Sequence, residues 1–127
     1  TYSLHDALPI STEHALKIAK VAAQAAFDKK GENIVLLDVS EHLVITDVFL
    51  IASADNERQV KAIIDAIEET LSAIGVEPIR REGDREGRWV LLDYFEIVVH
   101  VQQDEERSLY DLERLWSDCP KIAMELV

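Results

Sequence analysis

Arg88-Trp89-Val90-Leu91-Leu92-Asp93-Tyr94-Phe95-Glu96-Ile97-Val98-Val99-His100-Val101-Gln102 is the stretch whose reading decides the fold. It is rich in β-branched and aromatic residues, and neither half contains proline or glycine. It therefore reads as two strands joined by a very short turn. Successive strand residues point to opposite faces. With Phe95-Glu96 as a two-residue turn, Tyr94 pairs with Ile97, Leu92 with Val99 and Val90 with Val101. Those residues make a uniformly apolar face, which belongs to the core. The other face carries Trp89, Leu91, Asp93, Val98, His100 and Gln102. Its mixture of an aromatic, aliphatics and polar groups is the composition of a protein-docking surface. Phe95 suits the positive φ of a tight hairpin turn poorly. A slip of one residue would exchange the faces, so the assignment rests on this register.

On the N-terminal side, residues 1–12 are expected to be a poorly ordered leader, native to the domain or not. Thr12 can cap a helix from Glu13 to Lys30, with Ala15, Ala19, Ala22 and Ala26 on one face and Leu16, Ile18, Val21 and Phe27 widening it. Gly31 supplies its stop. Ile34 to Val39 and Leu43 to Ser53 read as strands, and the short Ser40-Glu41-His42 link makes them an antiparallel hairpin. Asp55 and Asn56 can cap the clearest helix of the chain, which reaches Ile74 and stops at Gly75. Val60, Ile63, Ile64, Ile67, Leu71 and Ile74 follow its three-four spacing. Glu77 to Arg81 is a weak strand, placed near an edge by Pro78. Strand, helix, strand is the pattern of a right-handed parallel crossover. The loop from Glu82 to Gly87 lacks the glycine spacing and lysine-serine pair of a phosphate-binding loop.

After the central hairpin, Asp104 to Trp116 reads as a helix with Leu109, Leu112, Leu115 and Trp116 on its apolar side, ended by Cys119-Pro120. Residues 121–127 form a tail apolar enough to dock. The division is thus a leader, one domain over residues 13–120, and the tail. The fold class is α/β (α+β), a mixed sheet of about five strands with helices packed on one side.

Composition narrows the function. The net charge of −12 argues against direct nucleic-acid binding through a basic surface and favours a basic partner, if the partner is a macromolecule. Apolar runs are too short to span a bilayer. The lone Cys119 excludes an internal disulfide and a cysteine-based zinc cage, and it reads as a bystander thiol. The cytoplasm is the simplest location. Asp47, Asp93 and His100 are the candidates for an acid-base or metal cluster, although nothing in their spacing demands one. No glycine-serine motif with an aspartate pair and no nucleophile elbow is present. His5, His14 and His42 read as surface histidines, and His100 as a packed or hydrogen-bonded strand histidine. No catalytic residue, metal ligand or cofactor is assigned.

The chain resembles the ribosomal silencing factors, also called the Iojap-like family. The resemblance lies in Ile45 to Ser53, Asn56 to Val60 and Arg81-Glu82-Gly83, and most strongly in Gly87 to Tyr94, Ile97 to Val101 and Glu106 to Trp116. These segments occur in the family's order and cover roughly residues 14 to 120. The family usually has glycine where Phe95 stands. The resemblance implies a nucleotidyltransferase-like fold without the catalytic motif. It implies a non-enzymatic translation repressor that docks on ribosomal protein fourteen of the large subunit. Such a factor blocks joining of the small subunit when nutrients are scarce and self-associates when free. Carried onto this chain, Trp89 and Leu91 become packing anchors and Asp93 a polar contact, with Tyr94 and His100 as nearby contacts. Two other readings stand beside it. One is a nucleotide- or metal-binding enzyme using Asp47 and Asp93; the other is a regulatory homodimer with a different partner.

Overall fold

The computed structural model describes residues 12–127, so the expected leader lies outside it apart from Thr12. The elements are α1 (Glu13–Asp28), β1 (Glu32–Asp38), β2 (Val48–Ala54), α2 (Glu57–Ser72), β3 (Arg80–Glu82), β4 (Trp89–Asp93), β5 (Ile97–Gln103), α3 (Asp104–Tyr110) and α4 (Leu112–Leu115). The strands form one mixed sheet in the order β1-β2-β5-β4-β3. β2 and β5 pair in parallel, and the other neighbours are antiparallel. β2 lies near the middle of the sheet and is buried along its whole length, which explains its unbroken apolar sequence.

The central hairpin has the expected register: Val90 pairs with Val101 and Leu92 with Val99, and the Tyr94 N–H donates to the Ile97 carbonyl. Val90, Leu92, Tyr94, Ile97, Val99 and Val101 all face the main core beneath α1 and α2. Phe95 takes the turn despite its side chain, at φ 69°. The Asp93 carboxylate accepts the Phe95 N–H at 2.9 Å, and the Tyr94 carbonyl accepts the Glu96 N–H at 2.9 Å. These bonds close the turn around a backbone conformation that glycine adopts without strain.

Both long helices follow their sequence signals. Thr12 caps α1 by accepting the Ala15 N–H, and Asn56 caps α2 by accepting the Gln59 N–H. The alanine face of α1 and the Val60, Ile63, Ile64, Ile67 and Leu71 face of α2 are buried together. Their ends differ from expectation. Lys30, not Gly31, holds the left-handed position after α1 (φ 65°), and the Gly31 N–H reaches back to the Ala26 carbonyl. α2 ends at Ser72, so Ile74 lies beyond the helix and is exposed.

Three further expectations change. The β1–β2 link is longer than Ser40-Glu41-His42, because β2 begins only at Val48. Its parallel partner starts at Ile97, and upstream of that point no strand is available to pair with Leu43 to Thr46. Val44 and Ile45 consequently stand in solvent. β3 runs in the direction of β2 but is not its neighbour, since β5 and β4 lie between them. The C-terminal helix is broken in two at Asp111, whose φ of 45° turns the chain between α3 and α4. The break separates the expected apolar side: Leu112 is buried and Trp116 half-buried, whereas Leu109 and Leu115 are exposed.

The two long helices cover one side of the sheet, as expected. The segment from α3 to Cys119 adds a smaller layer on the other side, where Leu112, Cys119 and Trp116 pack on Leu37, Phe49, Ile51, Trp89 and Val98. The tail then returns along β1: the Ile122 N–H donates to the Leu36 carbonyl, and Ile122, Met124 and Leu126 join the main core.

Candidate docking surface

The second face of β4 and β5 is where the sequence placed the site. Leu91 pairs with His100 across the hairpin, and Trp89 pairs with Gln102. Trp89 is half-buried; its indole N–H donates to His100 Nδ1 at 3.1 Å, and its ring centroid lies 4.9 Å from that of Tyr110 on α3. Leu91 is half-buried between β3 and β5. Asp93 sits at the strand end with its carboxylate 3.4 Å from Arg80 Nε. Trp89, Leu91 and Asp93 therefore alternate along one face of the sheet, each half-buried.

Two other expected contacts are buried. Tyr94 points to the opposite face, into the core beneath α2, and is 6% exposed. Burial pushes its phenol above the ordinary range, with the charges of Glu68 and Glu77 adding to the shift. The alternation already put Tyr94 on the core side of the hairpin; its role as a contact came only from the resemblance. His100 is on the docking face but is also only 6% exposed, shielded by Phe49 and Trp89. Burial pushes its pKa down to about 4, so the ring is neutral at physiological pH.

Tyr110 was not singled out from the sequence, although it lies in the Glu106 to Trp116 segment that carried the resemblance. It is half-exposed and lines a cleft of about 320 Å³ with Gly83, Arg85, Glu86, Arg88, Trp89 and Glu106. Arg88 and Glu106 pair across that cleft at 3.4 Å. Arg107, half-buried within α3, donates to Glu113 of α4, to the Asn33 carbonyl of β1 and to Ser53 of β2. It thereby anchors the broken helix that delivers Tyr110.

Catalytic or metal chemistry finds no matching arrangement among the described residues. Asp47, Asp93 and His100 do not bring ligand atoms together. The group that does is Glu32, Asp55 and Asp104, all exposed, at the ends of β1, β2 and β5. Burial pushes the Asp104 carboxyl up, and the neighbouring Asp55 pushes it further. Exposed acidic trios are ordinary on a surface of net charge −12. Cys119 is buried and its thiol is pushed up by that burial, away from nucleophilic reactivity. No helix of the described residues is long and apolar enough to cross a membrane.

The described residues thus form an α+β domain that sets a half-buried aromatic ring beside aliphatic and charged groups on one face of its sheet. The family model described as "Ribosomal silencing factor during starvation" matches residues 12–127, and the chain belongs to that family. It is similar to the Bacillus subtilis ribosomal silencing factor RsfS, with 42% identity over 81% of this chain and 87% of the relative. The Halalkalibacterium halodurans factor of the same name is 38% identical over 86% of this chain and 93% of the relative. A crystal structure of a Chromobacterium violaceum protein superposes with a TM-score of 0.79 at 34% identity, covering 89% of this chain and 93% of that one.

Proposed function

We propose that this chain is a non-catalytic translation repressor that binds the large ribosomal subunit at ribosomal protein fourteen and sterically prevents joining of the small subunit. The observation that carries this reading is the family match across the whole described domain. The half-buried Trp89, with Leu91 and Asp93 alternating beside it, supplies a surface suited to the task. A net charge of −12 favours a basic ribosomal partner and opposes direct nucleic-acid binding. The mechanism needs no bond chemistry: one protein occupies surface that the small subunit requires. It places the chain in the cytoplasm, where translating ribosomes are. Leu109, Tyr110 and Leu115 are exposed beside the same face and favour self-association of the free protein through an overlapping surface.

A subunit-joining assay tests the reading. Excess unaltered chain lowers the yield of joined ribosomes, and Trp89→Ala reduces that effect. A central aromatic anchor contributes about 2 kcal/mol or more to binding, which corresponds to roughly 30-fold in affinity. Unchanged subunit joining at saturating unaltered protein refutes the mechanism.

A further inference from the structure

His100 lies in the middle of the docking face yet is almost wholly buried, so a partner cannot reach it directly. Its ring is backed by Phe49 in an edge-on contact, with centroids 4.9 Å apart. Its Nδ1 accepts the indole N–H of Trp89 at 3.1 Å. On the far side, Trp89 is held by Tyr110. We infer that His100 is a positioning residue: it fixes the rotamer in which Trp89 meets the partner, without touching the partner itself. The inference rests on the docking function proposed above and adds the device that organises its anchor.

The choice of an imidazole at this position supports the inference. An indole has one donor and no acceptor, so its orientation is set by whichever acceptor takes that proton. With Nδ1 accepting, the neutral imidazole carries its own proton on Nε2. Nε2 is buried and finds no hydrogen-bond partner among the described residues. A phenyl or aliphatic side chain would fill the space without that unsatisfied group, and packing alone therefore favours an apolar residue. What imidazole adds is the acceptor at Nδ1, and Trp89 is the group that uses it. Burial keeps the ring neutral and the acceptor lone pair free. An anchor already held in its bound rotamer gives up less side-chain freedom on docking.

The test uses the full chain labelled with nitrogen-15, in which each tryptophan gives one indole N–H signal, assigned through Trp89→Phe and Trp116→Phe. In the unaltered protein the Trp89 signal is protected from exchange with solvent. His100→Phe keeps a ring of similar outline but removes the acceptor, and exchange of that signal accelerates by about tenfold or more. His100→Asn places an amide oxygen near the Nδ1 position and restores protection. Affinity for isolated large subunits follows the same order, falling about fivefold in His100→Phe and recovering in His100→Asn. Equal protection of the Trp89 indole in the unaltered and His100→Phe proteins overturns the inference. So does an affinity loss in His100→Phe that His100→Asn fails to recover despite restored protection. If Trp89→Ala leaves large-subunit binding intact, the docking function fails separately, while indole exchange still reports whether His100 orients the ring.

Discussion

Gly83→Ala is expected to damage the protein at one defined point, the backbone of Trp89. Gly83 has φ +92°, and a Cβ built there would lie 2.0 Å from the Trp89 carbonyl oxygen and 3.2 Å from the Val90 Cα. Those neighbours are backbone atoms of β4, so no rotamer change relieves the overlap. Gly75 provides the comparison: its φ is +82°, and nothing lies within 4 Å of a Cβ placed there. Both alanine variants incur the left-handed backbone penalty of about 1–2 kcal/mol, reduced by about 0.5–1 kcal/mol because glycine loses more freedom on folding. Gly83→Ala alone adds overpacking, worth about 1–3 kcal/mol. Gly75→Ala should therefore cost about 1 kcal/mol and Gly83→Ala about 2–4 kcal/mol. With a urea dependence of about 1–2 kcal/mol per molar, the two midpoints differ by about 0.5–3 M. Equal midpoints would refute the close-approach argument. Gly83→Ala should also weaken large-subunit binding under conditions where it remains folded, because β4 must shift where the anchor is attached; Gly75→Ala should not.

Three other outcomes follow from the geometry. Arg107→Met removes the guanidinium that Glu113 and the Asn33 carbonyl share; because both acceptors stay open to water, it should cost about 1 kcal/mol in denaturant unfolding and weaken docking by loosening α3. Tyr94→Phe removes a buried hydroxyl that has no hydrogen-bond partner among the described residues, so chemical unfolding should show stability unchanged or raised by about 1 kcal/mol, with large-subunit binding unaffected. The His100 pKa is lower in the folded protein, about 4, than its ordinary 6.5. The unfolded chain therefore binds more protons between those values, and this contribution to stability is present above pH 6.5 and lost as pH falls toward 4. Unfolding measured from pH 7 to pH 4 should show a loss of roughly 3 kcal/mol from this source, and His100→Phe should abolish that part of the slope.

Local periodicity made the hairpin faces and α2 readable. Val90, Leu92 and Tyr94 alternate with Trp89, Leu91 and Asp93 in a register that pairing confirms. Asn56 and the three-four spacing from Val60 to Leu71 define a helix with little ambiguity. What periodicity could not supply was the cover over each face. His100 sits on the predicted side, but its burial depends on Phe49, brought beside it from β2. The smaller layer over that face, with Leu112 and Trp116, follows a break at Asp111, without the glycine or proline that marks such a point in sequence. Val44 and Ile45 continue the apolar pattern of β2, but pairing stops at Val48 because strand length is set by the partner. The parallel partnership of β2 with β5 is a property of the whole sheet and leaves no local mark.

The rings on the second face form a continuous row. His42 contacts Trp116, Trp116 contacts Phe49, Phe49 contacts His100, His100 contacts Trp89 and Trp89 contacts Tyr110, with successive centroids 4.9 to 6.1 Å apart. Both tryptophans of the chain belong to this row. Transition dipoles fixed at such separations and tilted against one another couple, and a rigid chiral array of them produces near-ultraviolet circular dichroism. The molecule thus contains an intrinsic optical gauge that spans the face from the β1–β2 loop to α3. A partner that shifts one terminal ring changes the coupled signal, so engagement of this face can be followed without attaching a label.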